Sequence, residues 1–454
     1  MRVTTNPPSM VKPSQQSWSG RIALSELDQT GMTTHVPTIY FYARSSENWK
    51  SFLQTLINSV ATTLVHFYPL AGRLVSTAGG RLELNCNAAG VQFTEAYADV
   101  KLADLDDFMR HPIFDQLIPS VDYRHTSLEE MPLLLLQVTR FQCGGWSLGF
   151  CISHVVVDGQ SALHFLSEWA RVCRGEPLGP PPYLDRKVLR AGDPPATSFN
   201  KSIEQHAQSS PPPNLLGQSS NENERNKETT VTMLKLTETL VRKLQHQANK
   251  NKKSKSSRNF TRYEVVTAHA WRTACKIRNL EPEQPTSIGV CIDIRSRMNP
   301  PLPDKYFGNA IIDMIATGTS CEIVSETLGY VSSKIRDAIE KVNDEFVNSV
   351  IDFLKNQEDL SKFQDLHLAK DDEGPFYGNP NLGVISWITL PMYGIDFGWG
   401  KEIFTGPGTD DAEDGDFLVL RGEEGDGSLI LALCLQVRHM EDFRRVLYQS
   451  IEED

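Results

Sequence analysis

The sequence predicts an α/β protein of two domains, and three observations lead to that class. With 454 residues, the chain is too long for one ordinary hydrophobic core. Apolar runs typical of strands alternate with amphipathic patterns typical of helices. A polar, proline-containing stretch, expected to be a crossover linker over residues 191–230, separates an N-terminal domain (1–190) from a C-terminal domain (231–454).

The elements of the first half follow from hydrophobic spacing. β-Branched, aromatic or continuous apolar runs predict strands, whereas apolar residues three and four apart predict helices. Strands are expected over 37–42, 133–141 and 146–153, and helices over 49–67 and 160–174. Cys143-Gly144-Gly145 is typical of a hairpin turn between two of these strands, and Gly175 is placed to end the second helix.

The second half carries a similar mixture of patterns. A helix is expected over 263–278, and strands over 287–294, 383–390, 417–420 and 429–437. Acidic loops are expected over 371–373 and 410–416, and a lysine- and serine-rich break over 249–259.

Composition and charge exclude several classes of partner. A net charge of −12 argues against nucleic acid and anionic membrane surfaces. No apolar run is long enough to span a bilayer, and the first 19 residues lack the apolar core of a secretory signal. The eight cysteines are scattered without a Cys-x-x-Cys pair, which favours reduced thiols over a metal site. We therefore expect a cytoplasmic protein that binds no metal.

The segment from Ser153 to Gly159 carries the first chemical signal. His154 and Asp158 lie four residues apart between a predicted strand and a predicted helix. Imidazole is suited to proton transfer near neutral pH, and a strand end is a good place from which to enter a cleft. Taken alone, a single histidine is more often a packed core residue, so the motif needs a second signal.

The second signal is a glycine- and aromatic-rich motif near the C-terminus, Asp396-Phe397-Gly398-Trp399-Gly400. Together with His-x-x-x-Asp-Gly at 154–159, it resembles the plant BAHD family of acyl-CoA-dependent acyltransferases. Further segments match the pattern of that family in order and spacing, so the resemblance covers nearly the whole chain. They are Tyr68 to Arg73, Tyr263-Glu264, Ala268 to Arg272, Asp293-Ile294-Arg295 and Tyr306 to Asn309.

The resemblance implies a fold and a reaction. The fold is of the chloramphenicol acetyltransferase type: two similar-sized domains with mixed sheets and helices, a long crossover loop and a channel between the domains. It leaves room for part of residues 383–420 to pack on the N-terminal domain. The reaction is direct attack of an acceptor on an acyl-CoA thioester, with His154 as general base. Acyl-CoA is then a co-substrate, and no cofactor is expected.

The resemblance also assigns supporting roles. Asp158 is expected to pair with Arg295 and to fix the turn that carries His154, with Gly159 allowing close backbone approach. Trp387 is expected to donate its indole N–H toward the reacting oxygens, although a packing role is the alternative. The 396–400 motif is expected to be architectural, as a packed turn built on Asp396, Gly398, Trp399 and Gly400.

Donor-binding residues are expected in two places. By resemblance, Thr38 and Tyr40 line the aromatic ring of a hydroxycinnamoyl donor. Coenzyme A phosphates need cations and hydrogen-bond donors, for which the 252–258 run with Lys255, Ser257 and the nearby Thr261 is the candidate. A solvated charged loop is the alternative for any single lysine.

The acceptor is suggested by a reversal of charge. Segments 24–29 and 34–42, including His35, resemble the spermidine hydroxycinnamoyl transferase branch. At the position where the related shikimate branch carries an arginine, this chain has Asp372, flanked by Asp371 and Glu373, and Ile385 stands where that branch has a threonine. Carboxylates would attract a polyamine such as spermidine and repel a carboxylate acceptor.

Two other functions remain open at this stage. One is O-acylation of an alcohol or phenol such as shikimate or quinate, with 371–373 a solvated loop. The other is a non-catalytic relative that binds acyl-CoA. The expected partners are small molecules, and a monomer is expected.

Overall fold

The computed structural model describes residues 2–105, 113–191, 218–219, 222–250, 258–364, 376–408, 412–422 and 425–452. The strands are β1 Val3–Thr5, β2 Ser9–Val11, β3 Gly20–Ala23, β4 His35–Tyr42, β5 Arg73–Ser76, β6 Leu82–Cys86, β7 Val91–Ala98, β8 Leu134–Phe141, β9 Trp146–Ser153, β10 Gln218–Ser219, β11 Thr229–Leu236, β12 Pro285–Asp293, β13 Ile311–Thr319, β14 Phe376–Tyr377, β15 Leu382–Ser386, β16 Glu402–Pro407, β17 Asp416–Arg421 and β18 Leu429–Gln436. The α-helices are α1 Trp49–Thr63, α2 Phe114–Leu117, α3 Gly159–Cys173, α4 Glu222–Arg225, α5 Glu238–Asn249, α6 Arg262–Arg278, α7 Ser320–Ser325, α8 Leu328–Glu340, α9 Asp344–Lys355 and α10 Val437–Glu452.

The N-terminal half is built on a mixed sheet in the order β1-β7-β8-β9-β4-β16, with β2 also paired to β7. Strands β7 and β8 are parallel, and the other pairs are antiparallel. Helices α1 and α3 pack against each other, and their apolar faces join a core that includes Trp146 and Trp169. The predicted hairpin is present between β8 and β9, where Gly144 has a φ of 83° that favours glycine.

The C-terminal half is built on a six-stranded mixed sheet in the order β11-β18-β17-β15-β12-β13. The adjacent strands β17, β15 and β12 are parallel to one another. The remaining pairs, β11 with β18, β18 with β17 and β12 with β13, are antiparallel. Helix α6 packs with α5, α8 and α10, and its Trp271 is fully buried in the core they share.

One strand crosses from the second half of the chain to the first sheet. The strand predicted over 383–390 ends at Ser386, because Leu390 N–H turns back to the carbonyl of Trp387 and Pro391 follows. After this turn, β16 pairs antiparallel with β4 at the edge of the N-terminal sheet. Residues 402–407 therefore belong to the N-terminal sheet despite their late position in the chain.

Two other sequence expectations need correction at their ends. The helix expected over 49–67 stops at Thr63, because the N–H groups of Val65 and His66 bond three residues back and a 3-10 turn containing Pro69 follows. The expected linker is two residues too long, because β11 begins at Thr229; residues 192–217 and 220–221 of that linker lie outside the described residues. All eight cysteines are described, and all are free thiols. Among the described helices, none has the length and apolarity needed to cross a bilayer.

Candidate active site

A cavity of about 850 Å³ lies between the two sheets. From the N-terminal half it is lined by the first residues of β4, by residues of the 113–123 segment and by His154. From the C-terminal half it is lined by one face of the second sheet and by Trp387. The two side chains that the sequence singled out for chemistry therefore share one cavity, although they lie 233 positions apart in the chain (387 − 154).

The turn that carries His154 joins β9 to α3. The backbone N–H of Val155 donates to the carbonyl of Met32 at 3.0 Å, so the turn packs on the segment before β4. A Cβ on Gly31 would lie 2.8 Å from the carbonyl oxygen of His154, so only glycine permits this approach. A Cβ on Gly159 would lie 2.8 Å from Leu390 Cδ1, but this is the end of a side chain that can move, so glycine is less strictly required there.

Asp158 closes this turn from the helix side. It is the N-cap of α3 and accepts the N–H of Ser161 at 3.0 Å, while Ala310 N–H donates to its other oxygen at 3.0 Å. Arg295 spans both carboxylate oxygens at 2.9 and 2.8 Å, which is the ion pair expected by resemblance. Burial alone would raise the pKa of Asp158, but Arg295 and the two backbone N–H groups hold it below its usual value. The carboxylate is thus engaged in holding α3 to the C-terminal half.

A second anchor, which the sequence did not reveal, holds the same turn from the opposite side. The side-chain amide of Asn309 donates to the carbonyl oxygen of His154 at 2.7 Å and to that of Val155 at 3.2 Å. Asn309 also bonds Asp28, and Asp28 forms a buried ion pair with Arg186 at 2.6 Å. Both Asp28 and Asn309 fall in segments that matched the family pattern, but their partnership joins positions 281 residues apart. No spacing rule along the chain could have paired them.

The 396–400 motif packs on the N-terminal half and is absent from the described lining of the cavity. Asp396 accepts the N–H groups of Gly398 and Gly400, whose φ values of 108° and 103° favour glycine. Phe397 contacts Trp169 edge-on with ring centroids 4.8 Å apart, and Trp399 contacts Phe52 at 4.2 Å. This turn leads directly into β16, so it fixes the crossing of that strand onto the first sheet.

Of the two residues expected to line the donor's aromatic ring, Tyr40 does not line the cavity, and the role of Thr38 stays a prediction. Tyr40 is fully buried in the core beneath α1 and α3, and it does not line the described cavity, which corrects the expectation. Side chains alternate along β4, so Tyr40 and Tyr42 share the core-facing side of the strand. Thr38 is half-buried and donates to the carbonyl of Phe150 at 3.3 Å, and its role in donor binding stays a prediction.

The remaining predicted residues are distributed around and beyond the cavity. Ile385 is 45% exposed and lines the cavity beside Trp387. Thr261 is exposed at the N-terminus of α6, where it forms a capping box with Glu264. Five predicted residues lie outside the described part of the chain: Lys255, Ser257, Asp371, Asp372 and Glu373.

His35 lines the cavity but is already engaged by the protein on both ring nitrogens. Nε2 lies 2.7 Å from the carbonyl oxygen of Pro132, and Nδ1 lies 2.9 Å from the hydroxyl oxygen of Tyr123. Burial lowers the pKa of the ring to about 4, so it is neutral at physiological pH. Both ring nitrogens of His35 are therefore engaged by Pro132 and Tyr123, and its contact with an acceptor stays a prediction.

The carboxylates and the strongly basic side chains around the cavity are unevenly represented among the residues that the structure describes. Asp115, Asp313 and Asp416 are among the described residues that line it, and that lining contains no lysine or arginine. Asp313 pairs with Cys291 of β12. Two residues earlier on β12, Gly289 pairs with Gly383 of β15, which in turn pairs with Asp416 of β17. Asp313 and Asp416 therefore lie on the same face of the sheet, three strand spacings apart and offset by two residues along the strands. With strands about 4.8 Å apart and residues about 3.3 Å apart, their Cα atoms are separated by roughly 16 Å. Within the described residues, no cluster of histidine, cysteine or acidic side chains could hold a metal ion.

Comparison with known proteins agrees with this geometry. Residues 1–449 match the model of the Transferase family. The chain is 41% identical to a hydroxycinnamoyl-CoA:piscidic acid hydroxycinnamoyltransferase of Actaea racemosa, over 97% of this chain and 98% of the relative. It is 36% identical to a hydroxycinnamoyl-CoA:5-hydroxyanthranilate N-hydroxycinnamoyltransferase of Avena sativa, over 99% and 100%. Vinorine synthase has the same fold, with a TM-score of 0.71 at 24% identity over 99% and 98% of the two chains. The predicted fold class is confirmed.

Proposed function

Because this chain belongs to the BAHD family of acyl-CoA-dependent acyltransferases and is a hydroxycinnamoyltransferase, we propose that its acceptor is a polyamine such as spermidine. The reaction is then N-acylation, in which a hydroxycinnamoyl group moves from sulfur to nitrogen.

The observation that carries this proposal is the charge of the cavity. Three carboxylates, with no lysine or arginine among the described lining residues, give a surface that attracts ammonium groups and repels acids. Asp313 and Asp416 are separated on the wall by a distance comparable to the length of an extended polyamine. Gly289 and Gly383, which are paired between the two aspartates, have no side chains to project from the sheet, so a linear chain of methylenes can lie across this face.

The chemistry needs one nitrogen to be neutral. An ammonium cannot attack, and nearby carboxylates raise the pKa of an amine. The carboxylates therefore hold distal ammonium groups, while the reacting nitrogen loses its charge near His154. As the C–N bond forms, His154 takes a proton from nitrogen, the C–S bond breaks, and the coenzyme A thiolate leaves. Trp387 lines the same cavity, and we propose that its indole N–H donates to the oxygen that gains charge.

A second candidate is O-acylation, which the Actaea racemosa relative favours because its name gives an acid as the acceptor. An acid acceptor calls for a cation in the site. The described lining of this cavity offers none, and for that reason we rank the polyamine first.

Incubation of the purified protein with coumaroyl-, caffeoyl- and feruloyl-CoA against spermidine, putrescine, agmatine and shikimate tests the proposal. Amide products from the amines support it. Ester formation with shikimate, and none with the amines, would assign the second candidate. An absence of product with every pair would favour a non-catalytic relative.

The carboxylates can be tested one at a time. Asp313→Asn and Asp416→Asn should each raise the KM for spermidine by about ten- to a hundredfold, because each removes a charged hydrogen-bond partner. The KM for the CoA thioester should stay near the wild-type value. Asp304→Asn, at an exposed site that does not line the cavity, is the matched control. Asp372→Arg should act in the same direction as the first two variants if residues 371–373 also contact the acceptor.

A further inference from the structure

Tyr123 lines the cavity, and its hydroxyl is held by a neighbouring side chain. Its hydroxyl lies 2.9 Å from His35 Nδ1, and the two rings are tilted with centroids 5.8 Å apart. Tyr123 lines the same cavity as His154 and Trp387.

The direction of the hydrogen bond from Tyr123 follows from the opposite side of the His35 ring. The carbonyl of Pro132 can only accept, so His35 Nε2 must carry the proton of the bond between them. Because the buried ring is neutral, Nδ1 then carries a lone pair and accepts. Tyr123 therefore donates its hydroxyl proton to His35, and its oxygen can only accept a hydrogen bond from a molecule in the cavity.

This arrangement lies beside the proposed base. His35 is paired with Ser153 across β4 and β9, and Ser153 directly precedes His154. Cross-strand partners have Cα atoms about 5 Å apart, so His35 and His154 enter the cavity from neighbouring backbone positions. Burial raises the pKa of Tyr123 to about 12, so the group facing the substrate is a phenol and not a phenolate.

A nucleophile that meets both Tyr123 and His154 must offer two hydrogens. A hydroxyl has one, and His154 must take that one during attack. A neutral primary amine has two, so one can go to His154 while the other stays bonded to the phenol oxygen.

We propose that Tyr123, oriented by His35, accepts the second N–H of the attacking amine and thereby selects nitrogen over oxygen as the nucleophile. This inference rests on the proposed N-acylation. The reaction it serves is balanced: nitrogen forms a bond to the acyl carbon, the bond from carbon to sulfur breaks, and the proton from nitrogen passes through His154 to the thiolate. Tyr123 keeps its own proton throughout. It is a specificity-determining residue, and His35 is a positioning residue that acts through it.

A single substrate with both nucleophiles provides the sharpest test. With 4-aminobutan-1-ol and one hydroxycinnamoyl-CoA, the amide and the ester are separated by chromatography, and their ratio is measured. The ratio does not depend on how much active protein a variant contains. Wild type should give amide. Tyr123→Phe should lower the amide-to-ester ratio, and lower kcat/KM for spermidine, by about tenfold each, since one hydrogen bond to the nucleophile is lost.

Variants of His35 separate orientation from packing. His35→Leu frees the Tyr123 proton to point into the cavity, so the ratio should fall at least as far as in Tyr123→Phe. His35→Gln keeps one donor and one acceptor at the ends of its amide, so the ratio should recover toward wild type. Tyr97→Phe, at an exposed tyrosine of β7 that does not line the cavity, should leave the ratio unchanged.

The outcomes distinguish the inference from the function beneath it. If wild type gives amide and Tyr123→Phe changes neither the ratio nor kcat/KM for spermidine, the inference is wrong and N-acylation stands. If His35→Gln behaves like His35→Leu, the ring does not act through hydroxyl orientation, and that step of the inference is wrong. If wild type gives only ester from 4-aminobutan-1-ol, the inference is wrong. If it forms no amide from spermidine either, the proposed function fails and the inference fails with it.

Discussion

Breaking the ion pair between Asp158 and Arg295 should cost both stability and turnover. Asp158→Ala removes the N-cap of α3, which costs about 1 kcal/mol, and leaves Arg295 without its buried partner. Breaking a buried pair costs about 3–5 kcal/mol, and the lower end applies because Arg295 is 21% exposed and keeps Asp293 at 2.8 Å. We therefore expect a loss of about 4 kcal/mol in the free energy of unfolding.

Arg295→Met should cost a similar amount, because it leaves a carboxylate that is only 2% exposed with backbone N–H partners alone. The double variant should be less destabilised than the sum, with a coupling energy of at least about 2 kcal/mol. Urea denaturation measures these values. Asp293→Ala is the matched control, because it removes the exposed partner of the same guanidinium and should cost less than about 1 kcal/mol.

Turnover gives a second readout that separates an anchor from a catalytic orienter. Both single variants should lower kcat by about a hundredfold, because the turn carrying His154 shifts. Neither should move the pH midpoint of kcat. A coupling energy near zero would refute the reasoning. So would a shifted pH midpoint in Asp158→Ala beside a normal profile in Arg295→Met, since that result would assign Asp158 to orienting His154.

Four further predictions follow from other contacts. His154→Ala should abolish most turnover, with exposed His246→Ala as control; near-normal turnover would contradict the proposed base. Asn309→Ala should lower kcat at least tenfold with little change in either KM, because the His154 carbonyl loses its amide partner, and a change confined to KM would argue otherwise. Phe397→Ala should destabilise by about 3–5 kcal/mol in urea, and wild-type stability would show that this ring is not a core residue. Burial alone would raise the pKa of Glu264, but Arg336 and the other partners of this carboxylate hold its pKa at about 2. The stabilising effect of Glu264 is therefore present above pH 4.5 and is lost as the pH falls toward 2. Glu264→Gln should flatten the dependence of the unfolding free energy on pH over that range, and an unchanged dependence would exclude this group.

Seven strands (β4, β8, β9, β12, β15, β17 and β18) and three helices (α1, α3 and α6) could be predicted because their signals are local, whereas others in the same cores, such as β7, β13, α8 and α9, were not predicted. The apolar run of β9 and the helical spacing in α3 bracket His154 to within one residue of the observed ends. Predictions failed where a distant contact decided the outcome. The strand predicted over 383–390 ends early because the chain turns to reach the other sheet, and Tyr40 faces the core because of the pairing of β4.

The sequence by itself determined the family, the fold class and the segment that carries His154, since these depend on motifs and on hydrophobic periodicity. The tertiary structure decided which groups meet. It placed Asn309 on the carbonyl of His154, engaged both nitrogens of His35, and gathered three aspartates from separate segments around one cavity. Hydrogen bonds and charges act over a few ångströms in space, whereas spacing along a chain reports only neighbours within an element.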